Sequence, residues 1–215
     1  MLSEADKQAI VARVARVEAA TGVRVVTAVV PRADAYPEIA WKAFALAASL
    51  AALAVVVVDA WRPSWVGATA TLVHVMTVLV AGAVSTACAV FIAAYGRLFL
   101  HAARRDTETR QCAESMFLDH DLASMPARTA VLMLVARFER KVDLIADRGF
   151  RGRIAPAEWS SVVDATTALL AQGEPAAALV GGLDRLEALL RDRGFSAALG
   201  STRLPADAPI EATGA

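Results

Sequence analysis

From Pro63 to Gly96 the chain contains no Asp, Glu, Lys or Arg and only one histidine, His74; across a short break it follows a second uncharged run, Ala43 to Val58. A helix packed against water needs a polar stripe. Two such runs in succession therefore predict a membrane hairpin set inside an otherwise soluble domain.

A hydrocarbon core of about 30 Å requires roughly 20 helical residues. Extending the first run to Trp41 and Trp61 gives an adequate span with indole rings at both ends, Lys42 placed to snorkel and Asp59 near the water boundary. The second span is expected between about Val75 and Tyr95, which leaves Trp61 to Val73 as a turn and interfacial segment. Gly82, Ala83, Ser85, Thr86 and Ala87 are small enough to let two helices approach closely in lipid. Lys42 precedes the first span and Arg97, Arg104 and Arg105 follow the second, while the connecting turn holds only Arg62. By the positive-inside rule both soluble portions face the cytoplasm, with the Trp61 to Trp65 turn on the other side of a bacterial inner membrane. Met1 to Glu18 reads as a charged helix without an apolar signal core or cleavage site, so nothing there points to export.

Outside the hairpin, residues 1–36 and 97–200 supply about 140 positions, enough for one domain with a real core. The 22 basic and 22 acidic residues balance, and no basic stripe is interleaved with aromatics, which argues against a nucleic-acid binder. Cys88 falls inside the second span and Cys112 in a helical stretch, so neither belongs to a disulfide framework.

Ser3 opens a helix in which Ile10, Val14 and Val17 recur at helical spacing, and Thr21-Gly22 stops it. Val23 to Val30 is rich in β-branched residues and reads as a strand ended by Pro31. Beyond the hairpin, Arg104 to Leu122 is an amphipathic helix with Cys112, Met116 and Phe117 on its apolar side. Ala130 to Ala136 is a continuous apolar run, as in a central strand covered on both faces, and Val142 to Ala146 is its hairpin-paired return. Pro156 begins a helix closed by Gly173, and Pro175 begins another running to about Arg193. Residues 201–215, with Pro205 and Pro209, are expected to form a disordered tail. The order predicts an α/β fold: a small Rossmann-like mixed-sheet sandwich interrupted by a two-helix transmembrane hairpin. Residues 1–38 and 101–200 form one domain around a hairpin at 39–100. Both apolar strands should lie in the sheet interior, so the two halves fold together across the insertion.

Leu2-Ser3-Glu4, Glu18 to Gly22 with the strand after it, Arg128 to Val135, the Glu139-Arg140-Lys141 turn and Asp147-Arg148-Gly149 together resemble the TPM domain. The helix around Trp159, the Gln172-Gly173-Glu174 break and Gly181-Gly182-Leu183, a helix start or kink, continue the likeness. It is closest to a short bacterial subgroup that carries a hairpin inside the domain. What the resemblance implies is an α/β sandwich without a bound dinucleotide, in a family linked to membrane-protein maintenance. Some of its members are associated with acid phosphatase activity, and others bind divalent cations near loops at one sheet edge.

Asp147 follows a buried strand and precedes Gly149, a position from which a carboxylate can face a ligand crevice; it can equally cap a turn through its own backbone. A divalent cation needs about six oxygen ligands, so Glu18, Asp119 or Asp121 would have to join Asp147. Arg128 and Arg148 are guanidinium candidates for an anion pocket, with hydroxyls from Thr21 and Thr129, or else surface partners for Glu139 and Asp147. Asp119-His120-Asp121 cannot all face one ion on a helix, where neighbours diverge by about 100°. His74, read without a carboxylate partner in either span, is an interfacial anchor. There is no Gly-x-Ser-x-Gly elbow, phosphate-binding loop or Cys-x-x-Cys. Two readings follow. One is a noncatalytic inner-membrane module that recognises a membrane-protein partner or a second copy of itself. The other is a membrane-tethered phosphatase or metal-dependent hydrolase built around Asp147.

Overall fold

Ser3 fixes the start of α1 (Glu4–Thr21): its hydroxyl accepts the Asp6 N–H while the Asp6 carboxylate accepts the Ser3 N–H. At the other end Gly22 adopts φ 69 and donates its N–H to the Glu18 carbonyl, a turn that side-chain-bearing residues resist. The computed structural model describes residues 2–61, 67–122, 128–196 and 209–211. It divides into two units, Met1–Asp34 with Arg105–Ala215, and Ala35–Arg104.

In the first unit, β1 (Arg24–Val30) pairs in parallel with β2 (Ala130–Ala136), and β2 pairs antiparallel with β3 (Lys141–Ala146). A two-residue strand, β4 (Ile210–Glu211), adds in parallel to the free side of β1, giving the order β3-β2-β1-β4. The two apolar runs are thus the interior strands, and residues on either side of the long insertion lie in direct register, from Arg24 opposite Ala130 to Val30 opposite Ala136. Part of the segment expected to be a disordered tail is a strand instead: Glu211 accepts the Leu2 N–H at 2.8 Å and pairs with Lys7 at 3.3 Å.

Alternation along the strands separates two cores. Val25, Val29, Val131, Met133, Val135, Val142 and Leu144 face α1, α6 (Pro156–Leu170) and α7 (Pro175–Asp192). Val26, Ala28, Val30, Leu132 and Leu134 face Ala113 and Phe117 of α5 (Ala102–Asp119), with Cys112 and Met116 beside them. The result is a three-layer α/β sandwich with a mixed sheet. Gly181 and Gly182 lie inside α7, not at its start. Their role is close packing: a Cβ on Gly182 would lie 2.5 Å from Thr166 Oγ1 and 3.1 Å from Met133 Sδ.

The second unit is a helical hairpin, α2 (Pro37–Trp61) and α3 (Ala68–Phe91), followed by the short α4 (Ala93–Gly96). At 1.5 Å per residue both long helices exceed the roughly 30 Å of a hydrocarbon core; each is long and apolar enough to cross a membrane. The second helix begins at Ala68 and ends at Phe91, earlier at both ends than the expected 75–95. Helix formation continues through Leu72 and Val73 because no breaker stands there. Arg62 and the rest of the turn through Trp65 lie outside the described residues.

Gly82, Ser85 and Ala89 are the buried face of α3, whereas Ala83 and Ala87 point outward. Ser85 bonds the Ala43 carbonyl at 3.0 Å and the Tyr95 hydroxyl at 2.8 Å, and Thr86 donates to the Ala40 carbonyl at 3.2 Å. At the hairpin's open end Lys42 donates to the Phe99 carbonyl at 3.2 Å and Arg104 pairs with Glu38 at 3.0 Å. His74 does have a carboxylate partner, contrary to the sequence expectation: its Nε2 lies 3.4 Å from Asp59 Oδ1. The early start of α3 sets His74 beside the last turns of α2, which no reading of either helix alone could reveal.

Candidate functional site

Glu18, near the end of α1, turns its carboxylate toward the start of β1: Oε1 accepts the Val25 N–H at 2.9 Å and the Arg24 guanidinium at 3.3 Å. Thr21 Oγ1 donates to the Val17 carbonyl at 2.7 Å and accepts the Val23 N–H at 3.3 Å. The neighbouring strand is tied in through Arg24 N–H to the Thr129 carbonyl at 3.1 Å. Across β2, Asp147 N–H donates to the Ala130 carbonyl at 3.0 Å and Gly149 N–H to the Arg128 carbonyl at 2.9 Å. Main-chain bonding thus brings Glu18, Thr21, Arg128, Thr129, Asp147, Arg148 and Gly149 to one end of the sheet.

Their side chains do not converge in the same way. Glu18 and Thr21 are spent on local backbone groups. Asp147 Oδ1 accepts the Arg148 N–H at 2.6 Å and so caps the single 3-10 turn Arg148–Phe150. Asp147 is 7% exposed, and its Oδ2 is buried without a hydrogen-bond partner. Arg128, at φ 51, and Arg148 are exposed. The ion pairs expected between these arginines and Glu139 or Asp147 are not formed as read: Glu139 is buried beyond the opposite end of β2, and Asp147 binds the main chain of Arg148 rather than its guanidinium. Asp119 and Asp121 are exposed at the carboxyl end of α5. Among the described residues no three or more His, Cys, Asp or Glu side chains are placed to hold a metal ion.

The position of this group also differs from the ligand crevice of open α/β sheets, which lies outside the carboxyl ends of the parallel strands. Because β3 runs antiparallel, its carboxyl end, with Asp147, lies at the amino ends of β1 and β2. At the carboxyl ends stands a residue the sequence reading passed over as a turn charge. Glu139 is 2% exposed; Oε1 accepts the Ala33 N–H at 2.8 Å and Oε2 is buried without a hydrogen-bond partner. Arg32 stacks 4.1 Å from the Phe138 ring close by. Burial, and then the negative charge of Glu139, push the Cys112 thiol above its ordinary range, so it is a poor nucleophile at neutral pH.

A groove of about 720 Å³ runs along β3 between α5 and α6. Val142, Asp143, Leu144, Ala146 and Asp147 form its floor, Asp106 and Arg110 one wall, and Trp159 and Val163 the other. Lys141 meets Asp106 at 3.0 Å, and Arg110 lies 3.8 Å from Asp143. Burial raises the Asp143 carboxyl above its usual range despite Lys141 and Arg110. At Asp106 burial acts in the same sense, but the hydrogen bond and charge of Lys141, joined by Arg105, outweigh it and hold the carboxyl low.

The TPM domain profile matches residues 84–189, from the second half of α3 into α7. No curated protein matches the chain. Among solved structures it is similar to the NMR structure of the BA42 protein from the psychrophilic bacterium Bizionia argentinensis, with a TM-score of 0.58, 12% identity, and 99% of this chain and 96% of that one covered. At that identity the likeness speaks for the fold alone. The profile match shows a TPM domain over residues 84–189 of this chain, and the shared sandwich agrees with it in fold.

Proposed function

We propose that this TPM-domain protein is a multi-pass component of the bacterial inner membrane whose cytoplasmic unit recognises a membrane-protein partner during maintenance or repair, without catalysing a reaction. The observation that carries this reading is the outer surface of the hairpin, where Leu50 is 58%, Val56 64% and Phe91 84% exposed. Each such side chain gains about 1.5–3 kcal/mol on leaving water, and residues of this kind cover both long helices. Trp41 and Trp61 at the ends of α2 suit the aromatic belts. Lys42, Arg97, Arg104 and Arg105 gather at the open end of the hairpin and favour a cytoplasmic soluble unit.

The noncatalytic assignment draws support from Glu18, whose carboxylate is taken up by the Val25 N–H and the Arg24 guanidinium, and from Asp147, whose Oδ1 caps the next turn. A second reading, a hydrolase acting on phosphate esters, has one observation in its favour: the buried, unpartnered Oδ2 of Asp147 beside a groove. Carbonate extraction tests the anchor, with the full-length chain expected in the membrane pellet; recovery in the supernatant refutes it. An alkaline phosphatase reporter inserted at Ser64 should be active and one at the C-terminus inactive, and the reverse pattern would overturn the orientation. Equal phosphomonoester turnover by the wild type and Asp147→Asn supports the noncatalytic reading. A clear metal-dependent difference between them would favour the hydrolase.

A further inference from the structure

The outer side of β3 faces no other strand among the described residues. In an antiparallel ladder, alternate residues turn their main-chain groups toward and away from the neighbour. The Asp147 N–H points inward to the Ala130 carbonyl, and the register runs without a bulge from Val131 opposite Ala146 to Ala136 opposite Lys141. Val142, Leu144 and Ala146 therefore present their N–H and C=O groups to the groove. The Leu144 N–H is met at 2.9 Å by the Asp143 carboxylate, which blunts the middle of the edge. Among the described residues no hydrogen bond meets the flanking N–H groups of Val142, which is 1% exposed, or of the half-buried Ala146, so the accessible stretch of the edge lies at Ala146 beside Asp147.

We propose that this groove binds an extended segment of a protein partner, added as a strand beside β3, with a Lys or Arg side chain meeting Asp147. The inference rests on the partner-recognition reading above and names its surface. Charge selects the occupant. Asp106 pairs with Lys141, Arg110 with Glu114 and more distantly with Asp143, and Arg151 and Asp164 add one lining charge of each sign, whereas Asp147 keeps a buried carboxylate oxygen without a hydrogen-bond partner among the described residues. A buried acceptor left in this state is costly, and a charged donor relieves it best. Trp159 and Val163, both partly exposed, supply apolar contact for alternate side chains of the same segment. Strand addition needs only about 4.8 Å beside the edge. That suits a single extended chain between the walls of α5 and α6, whereas a second copy would bring another pair of walls into the same space.

The test uses the full-length protein in detergent micelles and two short blocked peptides of alternating Val and Thr, one with a central Lys and the other with Glu in its place. At low salt the Lys peptide should bind about tenfold more tightly, and Asp147→Asn should reduce that preference to about one. Asn can still cap the Arg148 N–H, which keeps the turn intact. Exchange of the Val142 and Ala146 amides should slow about tenfold or more on binding the Lys peptide, while the inward-facing Asp143 and Ile145 amides change little. Equal affinity for both peptides, no binding, or unchanged exchange at Val142 and Ala146 would overturn the inference. So would protection that appears without peptide and grows with protein concentration, since that assigns the edge to a second copy. Failure here with the protein still in the carbonate pellet removes only this surface, whereas release from the membrane removes the functional reading itself.

Discussion

Gly181 and Gly182 are neighbours in α7, yet replacing each by alanine should change stability in opposite directions. Alanine is favoured over glycine in a helix interior by about 1 kcal/mol, and both substitutions gain that. At Gly181 the new methyl would meet only Leu169 Cδ1, at 2.4 Å, with the next atom 3.9 Å away. That contact is the free end of a flexible side chain and can rotate aside. At Gly182 the methyl would lie 2.5 Å from Thr166 Oγ1, 2.9 Å from Thr166 Cγ2 and 3.1 Å from Met133 Sδ. Thr166 is fully buried, and its hydroxyl is held by the Val162 carbonyl at 2.7 Å, so it cannot yield without losing that bond. Overpacking of this kind costs about 1–3 kcal/mol. Taking the middle of that range less the helix gain, Gly182→Ala should destabilise by about 1 kcal/mol, while Gly181→Ala stabilises by up to about 1 kcal/mol. In a thermal melt of the full chain in micelles, these become a fall and a rise of about 2–4 °C. Adding Thr166→Ala removes the two nearest of these atoms and leaves only Met133 Sδ, so the double variant should be more stable than the sum of the single changes by about 1 kcal/mol or more. If Gly182→Ala stabilises as much as Gly181→Ala, or the two changes with Thr166→Ala are additive, the packing argument for α7 against α6 and β2 fails.

Glu18→Ala should destabilise by about 1–3 kcal/mol, because it leaves the N–H of the buried Val25 without its acceptor and removes one partner of the Arg24 guanidinium. Glu18→Gln should recover part of that loss, and equal urea midpoints for wild type and Glu18→Ala would refute the anchoring role. Since burial raises the Asp143 carboxyl in the folded state, its contribution to stability is fully present below the unfolded value near 3.8 and is lost as pH rises through the higher folded value. Asp143→Asn should accordingly be more stable than wild type at neutral pH, with the advantage shrinking toward pH 4 (about the unperturbed Asp value). A wild type more stable than Asp143→Asn at neutral pH would contradict the burial assignment. In the hairpin, a Cβ on Gly82 would lie 2.6 Å from the Phe44 ring, so Gly82→Val should separate α2 from α3 and Phe44→Ala should partly rescue it. Disulfide yield between cysteines at Ala43 and Ser85, in a background lacking Cys88 and Cys112, reports this; an unchanged yield in Gly82→Val would disprove the contact.

The residues that the sequence identified correctly are those whose signal is local. Ala130 to Ala136 is apolar at every position because both faces are covered, and it is β2 with those same bounds. The Ser3 cap, Gly22 and Pro156 mark helix ends through bonds that span only a few residues. The cap by Asp147 Oδ1 was legible for the same reason, since it reaches no farther than the next N–H. The two long apolar helices were legible because apolar composition is itself a local signal, read residue by residue.

Whatever depended on a partner distant in the chain was decided only by the tertiary structure. Ile210–Glu211 is too short for a strand pattern and becomes one because β1 offers it a free side. Glu139 resembles any charge in a turn until Ala33, far away in sequence, closes over it. The placement of Asp147 at the amino ends of β1 and β2, and the open edge beside it, follow from the antiparallel direction of β3 and its outermost rank in the sheet. Composition and periodicity report which face of an element is covered. They carry no record of which element covers it, because that choice is made by chain-distant contacts formed only when the whole domain folds.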